Sequence, residues 1–438
     1  MTLNADQLID LFNTKNAVIG VVGLGYVGLP LAVEKVKAGY KVIGFDVQEK
    51  RTNMVNKGVN YIGDVVSEEL EIIVSSGGLV ATTDYSRISE VNAVTICVPT
   101  PLDTYQQPDT SYVESSAREI AKYLHKGMLV VLESTTYPGT TAEVVKPILE
   151  ETGLICGVDF FLAYSPERVD PGNKFFKTKN TPKVIGGITP SCTLVASTMY
   201  RNVLDGEVHE VSSPAVAEME KILENTFRNI NIALANEMAI LCNKMGIDVW
   251  EVIDAAASKP YGFMPFYPGP GLGGHCIPID PYYLTWKARE FNYHTRLIEV
   301  AGEINNSMPD FVIDRCMQIL NSEKKPLNGS RVLIMGIAYK RDIDDYRESP
   351  VIPIINQLEE CGAIWQVTDP HVEQFNWNGK VVETVSLTEK TIIGSDLILI
   401  TTDHSAFDYT LVGNKAQIIF DTRNSMKGCP VTGKYYRL

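Results

Sequence analysis

Several features that would assign a function class at a glance are missing from this sequence. It has no apolar run of about 20 residues, so nothing in it reads as a membrane span. Its eight cysteines stand apart, at positions 97, 156, 192, 242, 276, 316, 361 and 429. No two lie at metal-ligand spacing, so no metal site is expected. In a chain of 438 residues such scatter points to a reducing compartment rather than a disulfide framework. Positive charge is scarce: 39 Lys and Arg stand against 53 Asp and Glu, a net charge of -14. A surface that acidic repels phosphate backbones, so nucleic acid is not an expected partner. Any anionic ligand must be held by local donors, such as backbone N–H groups, helix starts and a few Lys or Arg. The N-terminus carries Asp6, Asp10 and Lys15 among its apolar residues, unlike a signal peptide, and the expected location is the cytoplasm.

What is present suffices for two or three domains, with 45% hydrophobic residues to fill their cores. Over the first ~200 residues short apolar runs alternate with helical patterns. Ala17–Val22, Lys41–Phe45, Ala93–Val98, Leu129–Leu132 and Phe160–Ala163 read as strands of a parallel sheet covered on both faces. Near Ser213 the pattern changes. Ser213 suits an N-cap, Pro214 suits the first helical position, and no Pro or Gly follows until after Met245. That spacing predicts a helix roughly 45–50 Å long. A Pro/Gly-rich loop, Tyr261–Pro281, precedes a further helical pattern from about Tyr283 to Leu320. Arg331–Met335, Ile364–Thr368, Leu397–Thr401 and Gln417–Phe420 then restore the β/α alternation. The expected architecture is α/β: two doubly wound parallel-sheet domains, residues 1–207 and 323–438, joined by an all-helical domain, 208–322, built on one long helix. The two α/β halves share an alternation, as they would if one architecture were used twice within the chain.

The first strand runs into Gly23-Leu24-Gly25-Tyr26-Val27-Gly28 and then a helical pattern. Glycines there permit a tight turn, close approach of a pyrophosphate and close helix–strand packing, and the helix start offers a positive dipole. This is the fingerprint of a Rossmann-like dinucleotide domain. The second strand ends at Asp46, where a carboxylate accepts bonds from a ribose diol and repels a 2′-phosphate, which favours NAD over NADP. Tyr26, Val27 and Arg51 are counted among the cofactor contacts. Two later strands end in polar turns, Val98-Pro99-Thr100-Pro101 and Glu133-Ser134-Thr135-Thr136. Ligands of open α/β sheets bind beyond the carboxyl ends of strands, so Thr100, Ser134 and Thr135 are candidates for the nicotinamide end.

The most unusual segment is Gly269–Pro281, with four glycines and three prolines in 13 residues. Inside it sit one thiol, Cys276, and four residues on one carboxylate, Asp280. A thiolate attacks an aldehyde to give a thiohemiacetal; a second hydride removal gives a thioester, which water hydrolyses. On the long helix Lys221 and Asn225 share a face, a pairing suited to an alkoxide or a tetrahedral oxyanion, with Glu218 and Arg228 close to the stripe. Glu167, in Tyr164-Ser165-Pro166-Glu167-Arg168, is placed to activate a water. Ordinary alternatives stand beside each of these: a buried cysteine in a Gly-rich turn, a solvated helix face, a surface carboxylate. His275 draws notice only as the neighbour of Cys276.

Together these residues resemble the UDP-glucose/GDP-mannose dehydrogenase family over essentially the whole chain. The likeness includes Gly23–Gly28, Val98–Pro101, Ser134–Thr136, Ser165–Glu167, Glu218-Met219-Glu220-Lys221 with Asn225, Gly273–Asp280, Gly336-Ile337-Ala338-Tyr339-Lys340 and Arg347-Glu348-Ser349. It implies an NAD-binding domain, a helical dimerisation domain and a C-terminal domain that holds the nucleotide of a UDP-sugar. It implies that Cys276 is the nucleophile, that Lys221 and Asn225 stabilise the oxyanion, and that Asp280 assists near the thiol. Thr135 and Glu167 fall where the family places a water-positioning hydroxyl and a glutamate of hydrolysis. Lys340 matches a substrate-side lysine, Arg347 an arginine reaching the cofactor, and Arg423 a nucleotide-contacting arginine. Arg168, Arg228, Tyr267 and Gly273 complete the implied substrate contacts. Within the family the likeness is greatest to bacterial UDP-N-acetyl-D-glucosamine 6-dehydrogenases, through Phe266–Asp280, Glu133–Thr141 and Ser165–Gly172. UDP-glucose dehydrogenases usually carry another residue before the Cys, and an upstream Arg from the partner subunit; here the nearest upstream basic residue is Lys259. The implied pathway is lipopolysaccharide O-antigen or capsule synthesis, and the implied assembly a homodimer or something larger.

Three other readings stand beside this one. UDP-N-acetylgalactosamine or UDP-glucose could be the substrate of the same chemistry. A two-electron β-hydroxyacid dehydrogenase also joins a dinucleotide domain to a helical one, but needs no thiol and has no second α/β domain. A catalytically dead regulator would be expected to lose Cys276 or Lys221, and both are present.

Overall fold

The protein is described here from a computed structural model, over residues 4–438 apart from 64, 171, 172, 174 and 275. Its contacts divide the chain into two units. One comprises the chain up to Glu224 with Tyr282–Tyr293; the other comprises Asn225–Pro281 and His294–Leu438.

The first unit is built on eight strands: β1 (Val18–Val22), β2 (Lys41–Phe45), β3 (Leu79–Thr82), β4 (Ala93–Ile96), β5 (Leu129–Leu132), β6 (Phe161–Tyr164), β7 (Lys183–Gly187) and β8 (Val208–Val211). They line up as β3-β2-β1-β4-β5-β6-β7-β8. Every pairing is parallel except β6 with β7. Strands β4, β5 and β6 are buried along their whole length. That is why they read as near-continuous apolar runs rather than alternating ones: helices cover both faces of a parallel sheet. β7 and β8 escaped the sequence reading for physical reasons. β7 ends in two glycines and β8 is Val-His-Glu-Val with no fully buried residue. β3 is a four-residue strand without strong alternation.

The second unit carries β9 (Arg331–Met335), β10 (Ile364–Thr368), β11 (Gln374–Trp377), β12 (Lys380–Glu383), β13 (Leu397–Ile400), β14 (Ile418–Asp421) and β15 (Lys434–Arg437). Five form a parallel sheet, β10-β9-β13-β14-β15, and β11 and β12 form an antiparallel hairpin. Because β10 lies on one side of β9 and β13 on the other, the loops after β9 and β13 meet at the topological switch point of the carboxyl edge.

The long helix spans Pro214–Met245, 32 residues, as its composition predicts. Ser213 Oγ accepts the Val216 N–H at 3.4 Å, the bond expected of an N-cap. The helical pattern expected from about Tyr283 to Leu320 resolves into two helices, Asp280–Ala288 and Arg296–Ser322. A 3-10 turn, Arg289–Phe291, and Asn292 in the left-handed region at φ 53° separate them. Asn is one of the few residues that adopts that conformation cheaply, and periodicity alone does not reveal the break.

Candidate active site

The chain leaves β1 and turns at Gly23, at φ +88°. Its N–H donates to the Phe45 carbonyl at 2.8 Å, and a Cβ there would lie 2.6 Å from the Cys97 carbonyl oxygen. A Cβ on Gly28 would lie 1.8 Å from the Gly23 carbonyl oxygen, so the helix Gly28–Lys37 begins against the turn only because both are glycines. Gly25 differs: its Cβ would enter open space, with no atom within 4 Å. Its bare backbone is an approach surface rather than a packing requirement. The helix start has no side-chain cap, which leaves its N–H end to an anion. Buried Asp46 braces the loop: Oδ2 accepts the Leu24 N–H at 3.0 Å and Arg51 Nη1 at 2.8 Å, and Oδ1 accepts the Gln48 N–H at 2.9 Å. Arg51 reaches on over the Tyr61 ring, whose hydroxyl donates to the Leu24 carbonyl at 2.6 Å. Tyr26 is exposed and Val27 half-buried at the mouth of the same turn. These residues fit a dinucleotide: a backbone cradle for the diphosphate, and at the end of β2 a carboxylate that disfavours a 2′-phosphate.

The two polar turns beyond β4 and β5 are stitched together. Thr100 Oγ1 donates to the Thr135 carbonyl at 2.6 Å, Ser134 Oγ to the Val98 carbonyl at 2.8 Å, and the Tyr283 hydroxyl to the Thr100 carbonyl. Thr135 stands half-exposed at this edge. Glu167 follows β6. Its Oε1 accepts the N–H groups of Arg168 and Val169 at 2.8 and 2.9 Å, and its Oε2 lies 3.4 Å from Lys183 Nζ. Lys183, buried at the start of β7, also holds Glu133 at 2.7 Å, and Glu133 accepts the Tyr200 hydroxyl. Burial alone would raise the Glu167 carboxyl. Lys183, the two N–H groups and Lys221 outweigh it and hold Glu167 below its ordinary pKa, ionised at neutral pH. Lys221 is itself buried on the long helix. Arg168 pairs with Glu224 and, at 3.4 Å, with Glu220. Glu218 is a structural cap: its carboxylate accepts the Gly139 and Thr141 N–H groups and the Thr141 hydroxyl.

In the second unit the glycine-rich loop is tied down along its length. The Gly269 N–H donates to Asn236 Oδ1 at 3.0 Å, and Asn229 Nδ2 donates to the Ile277 carbonyl at 3.0 Å. Asn305 joins these two amides, accepting from Asn236 at 2.9 Å and donating to the Asn229 carbonyl at 3.2 Å. The glycines are there for contact. A Cβ on Gly269 would meet Arg423 Nη1 at 2.4 Å, on Gly273 Tyr339 Cβ at 2.6 Å, and on Gly274 the Tyr339 ring at 2.9 Å. Arg423 also donates to the Thr401 carbonyl at 3.0 Å. Tyr267 stacks on Trp250 at 5.8 Å between centroids.

The Cys276 carbonyl accepts the N–H groups of Ile279 and Asp280 at 3.1 and 2.9 Å. Thiol and carboxylate are thus one helical turn apart, with Cys276 exposed and Asp280 buried. Asp280 Oδ2 accepts Asn225 Nδ2 at 2.5 Å, and Arg228 donates to the other end of the Asn225 amide. Arg228 therefore sets the amide with its N–H₂ toward Asp280. His275 lies outside the described residues. Lys340 is half-buried in the turn after β9, and Arg347 is exposed with its guanidinium forked on Asp345, both bonds at 2.8 Å.

Sequence reasoning passed over Asn229, Asn236 and Asn305, and the buried trio Lys183, Glu133 and Tyr200. For the helix amides a signal existed. Asn225, Asn229 and Asn236 fall at i, i+4 and i+11, one stripe of a helix, and amides on a buried stripe demand partners. Lys183 sits in a short strand with no motif around it.

Three stretches match domains of the UDP-glucose/GDP-mannose dehydrogenase family: residues 17–204 the NAD binding domain, 215–307 the central domain and 333–428 the UDP binding domain. The UDP-N-acetyl-D-glucosamine 6-dehydrogenase of Pseudomonas aeruginosa is 40% identical over 82% of this chain and 84% of its own. The UDP-N-acetyl-D-mannosamine dehydrogenase of Pyrococcus horikoshii is 36% identical over 94% of this chain and 97% of its own. A solved structure of a UDP-D-ManNAc dehydrogenase from Pyrococcus horikoshii superposes with a TM-score of 0.87 at 34% identity, covering 96% of this chain and 98% of that one.

Proposed function

This chain belongs to the UDP-glucose/GDP-mannose dehydrogenase family and is an NAD-dependent oxidoreductase, and from that premise we propose that it oxidises C6 of UDP-N-acetyl-D-glucosamine to the uronate. The observation that carries the four-electron chemistry is the turn Cys276–Asp280, which sets an exposed thiol one helical turn from a buried carboxylate bound to Asn225. A dehydrogenase that stopped at the aldehyde would need no thiol there.

NAD, when bound, supplies the acceptor for each of two hydrides. Everything else falls to side chains of this chain. Lys221 and Asn225 stabilise the C6 oxygen as it becomes an alkoxide and, later, a tetrahedral oxyanion. The Cys276 sulfur adds to the aldehyde carbon and retains it as a thiohemiacetal, and loss of the second hydride leaves a thioester. Water then displaces the sulfur, giving the carboxylate and restoring the thiol. The balance is one alcohol, two NAD⁺ and one water to one carboxylate, two NADH and three protons. Glu167, held ionised by Lys183, is a base suited to deprotonate that water, with Thr135 positioning it. Asp280, through Asn225, keeps the oxyanion donors in place. Lys340 and Arg423 hold the UDP diphosphate and nucleotide. Arg168, Arg228, Tyr267 and Gly273 line the sugar-nucleotide path, and Arg347 leaves Asp345 to reach the cofactor. These roles fit three domains, 1–207, 208–322 and 323–438.

The C2 epimer is a second reading, favoured by the mannosamine enzymes that match almost the full chain. The assembly is a homodimer through the long helix. Val216, Met219, Leu223, Phe227, Leu234, Leu241 and Met245 are exposed on it at spacings of three, four and seven, one apolar stripe of a single helix. The product feeds surface polysaccharide synthesis from the cytoplasm.

The test is NADH formed per mole of limiting UDP-sugar with excess NAD⁺, run on both epimers. Two equivalents from UDP-N-acetylglucosamine alone support the proposal; two from the mannosamine epimer alone move the substrate to the second reading. One equivalent from either would end the thioester mechanism. Cys276→Ser is expected to bind NAD normally while carboxylate formation falls at least ~1,000-fold, the scale seen when a covalent nucleophile is removed.

A further inference from the structure

The loop after β9, residues 336–342, carries Lys340 and is fastened at both ends by one buried pair of side chains. Asp369 ends β10. Its Oδ2 accepts the N–H groups of Ile337 and Ala338 at 2.8 and 3.2 Å, and its Oδ1 those of His371 and Val372 at 2.9 and 3.1 Å. His404, fully buried after β13, places Nε2 3.1 Å from the same Oδ2. Its Nδ1 accepts the Asp342 N–H at 2.9 Å. A ring nitrogen that accepts carries no proton, so neutral His404 bears its proton on Nε2 and donates it to Asp369. One carboxylate thus holds the start of the loop, one imidazole holds its end, and the two hold each other. Thr402 Oγ1 adds a bond to the Ala338 carbonyl at 2.6 Å. Asp342 is itself in the left-handed region, φ 58°, and its carboxylate takes the N–H and hydroxyl of Ser405, both at 2.7 Å.

Ligand atoms of Asp342, His371 and His404 come within 4.8 Å of one another, which invites a metal reading. His404 argues against it, since both its nitrogens are already engaged by protein groups. The geometry serves the loop instead. Between the two anchors lie only Tyr339, Lys340 and Arg341. A lysine on a slack loop must lose backbone freedom before it can hold a diphosphate; on a loop fixed at both ends most of that loss has occurred on folding.

We propose that Asp369 and His404 are positioning residues for the UDP-sugar, acting through the backbone of residues 337–342 to preset Lys340 for the diphosphate. The proposal rests on the reading of Lys340 as a UDP contact.

The experiment measures UDP binding to the full-length protein by calorimetry, with steady-state kinetics on the UDP-sugar, for His404→Phe, His404→Asn and Thr402→Val. Loss of the buried clamp is expected to raise the Kd for UDP about tenfold in His404→Phe, the weight of one hydrogen bond in a charged network. KM for the sugar should follow, while kcat at saturating sugar and KM for NAD stay within about twofold. His404→Asn, whose amide oxygen can take the Asp342 N–H, should recover part of the loss. Thr402→Val, nearly isosteric, should show a smaller rise in the same direction and stands in if His404→Phe does not fold. Unchanged UDP affinity in both folded variants, or an equal loss of NAD and UDP affinity, overturns the clamp alone. A wild-type protein that binds NAD but no UDP overturns the reading of Lys340, and the clamp with it.

Discussion

Lys35 carries a charge into the core of the first unit. It is fully buried, and its ammonium donates to Thr95 Oγ1 at 3.0 Å. Burial pulls its pKa from 10.5 to about 8, against partial support from Glu133. The native state therefore gives up its proton between 8 and 10.5 while the unfolded chain keeps it. Stability from this group rises with pH across that window and is lowest below 8. Lys35→Met should be more stable than wild type at pH 7 by about 3 kcal/mol, and the advantage should fade toward pH 10.5. Equal urea midpoints at both pH values would contradict this account. Glu167 runs the other way. Its folded pKa is depressed, so the stability it adds is present above the ordinary carboxyl pKa and lost as pH falls through the lower folded value. Lys183→Met removes the cation that Glu167 and Glu133 share. The acid limb of the kcat profile should then move to higher pH, and an unmoved limb would remove Glu167 from the role of base. Neither lysine belongs to a motif, which is why the sequence did not single them out.

Among the elements, the long helix does most to build the site. Its existence was legible, because Pro and Gly are absent between Ser213-Pro214 and Met245. Its division of labour was not. One stripe carries buried amides that hold the glycine-rich loop, and another carries apolar side chains open to solvent. Period 3.6 locates both stripes but does not say which faces what. If the apolar stripe closes a dimer, Leu223→Glu with Leu234→Glu should give a monomer by analytical ultracentrifugation. Retention of the dimer by the folded double variant would place the interface elsewhere. The glycine-rich loop itself was conspicuous, but its glycines serve Arg423 and Tyr339, residues some 60 to 150 positions away in the chain.

At the scale of the molecule, one turn is built twice. Gly23 at φ +88° donates to the last residue of β2, and Gly336 at φ +94° donates to the last residue of β10, both at 2.8 Å. Asp46 and Asp369, each just past its strand, accept the N–H of the residue after that glycine. The copies diverge at the second residue after the glycine, where Gly25 in one is Ala338 in the other. The first has a bare backbone for a diphosphate to lie on. The second has a methyl group there and a lysine two residues later, so on the reading of Lys340 as a UDP contact charge takes the place of backbone. Separate ligands should follow. Gly25→Val is expected to weaken NAD binding at least about tenfold and leave UDP binding alone, and Lys340→Ala to do the reverse, since each removes contacts to one ligand only. Calorimetry with each ligand on each variant checks this, and a crossed effect would argue for one shared site.

The sequence by itself determined the fold class, the dinucleotide turn and the long helix, because each rests on local chemistry. Apolar period, strand-ending glycines and helix-breaking residues are properties of short segments. What holds those segments in place was decided only by tertiary structure. Asp369 reaches His404, Lys183 reaches Glu133, and Asn236 reaches Asn305 across 35, 50 and 69 residues. No local pattern announces such pairings. A buried polar group takes whatever partner the packed chain brings to it, and the cost of leaving it unpaired is what makes the pairing unique.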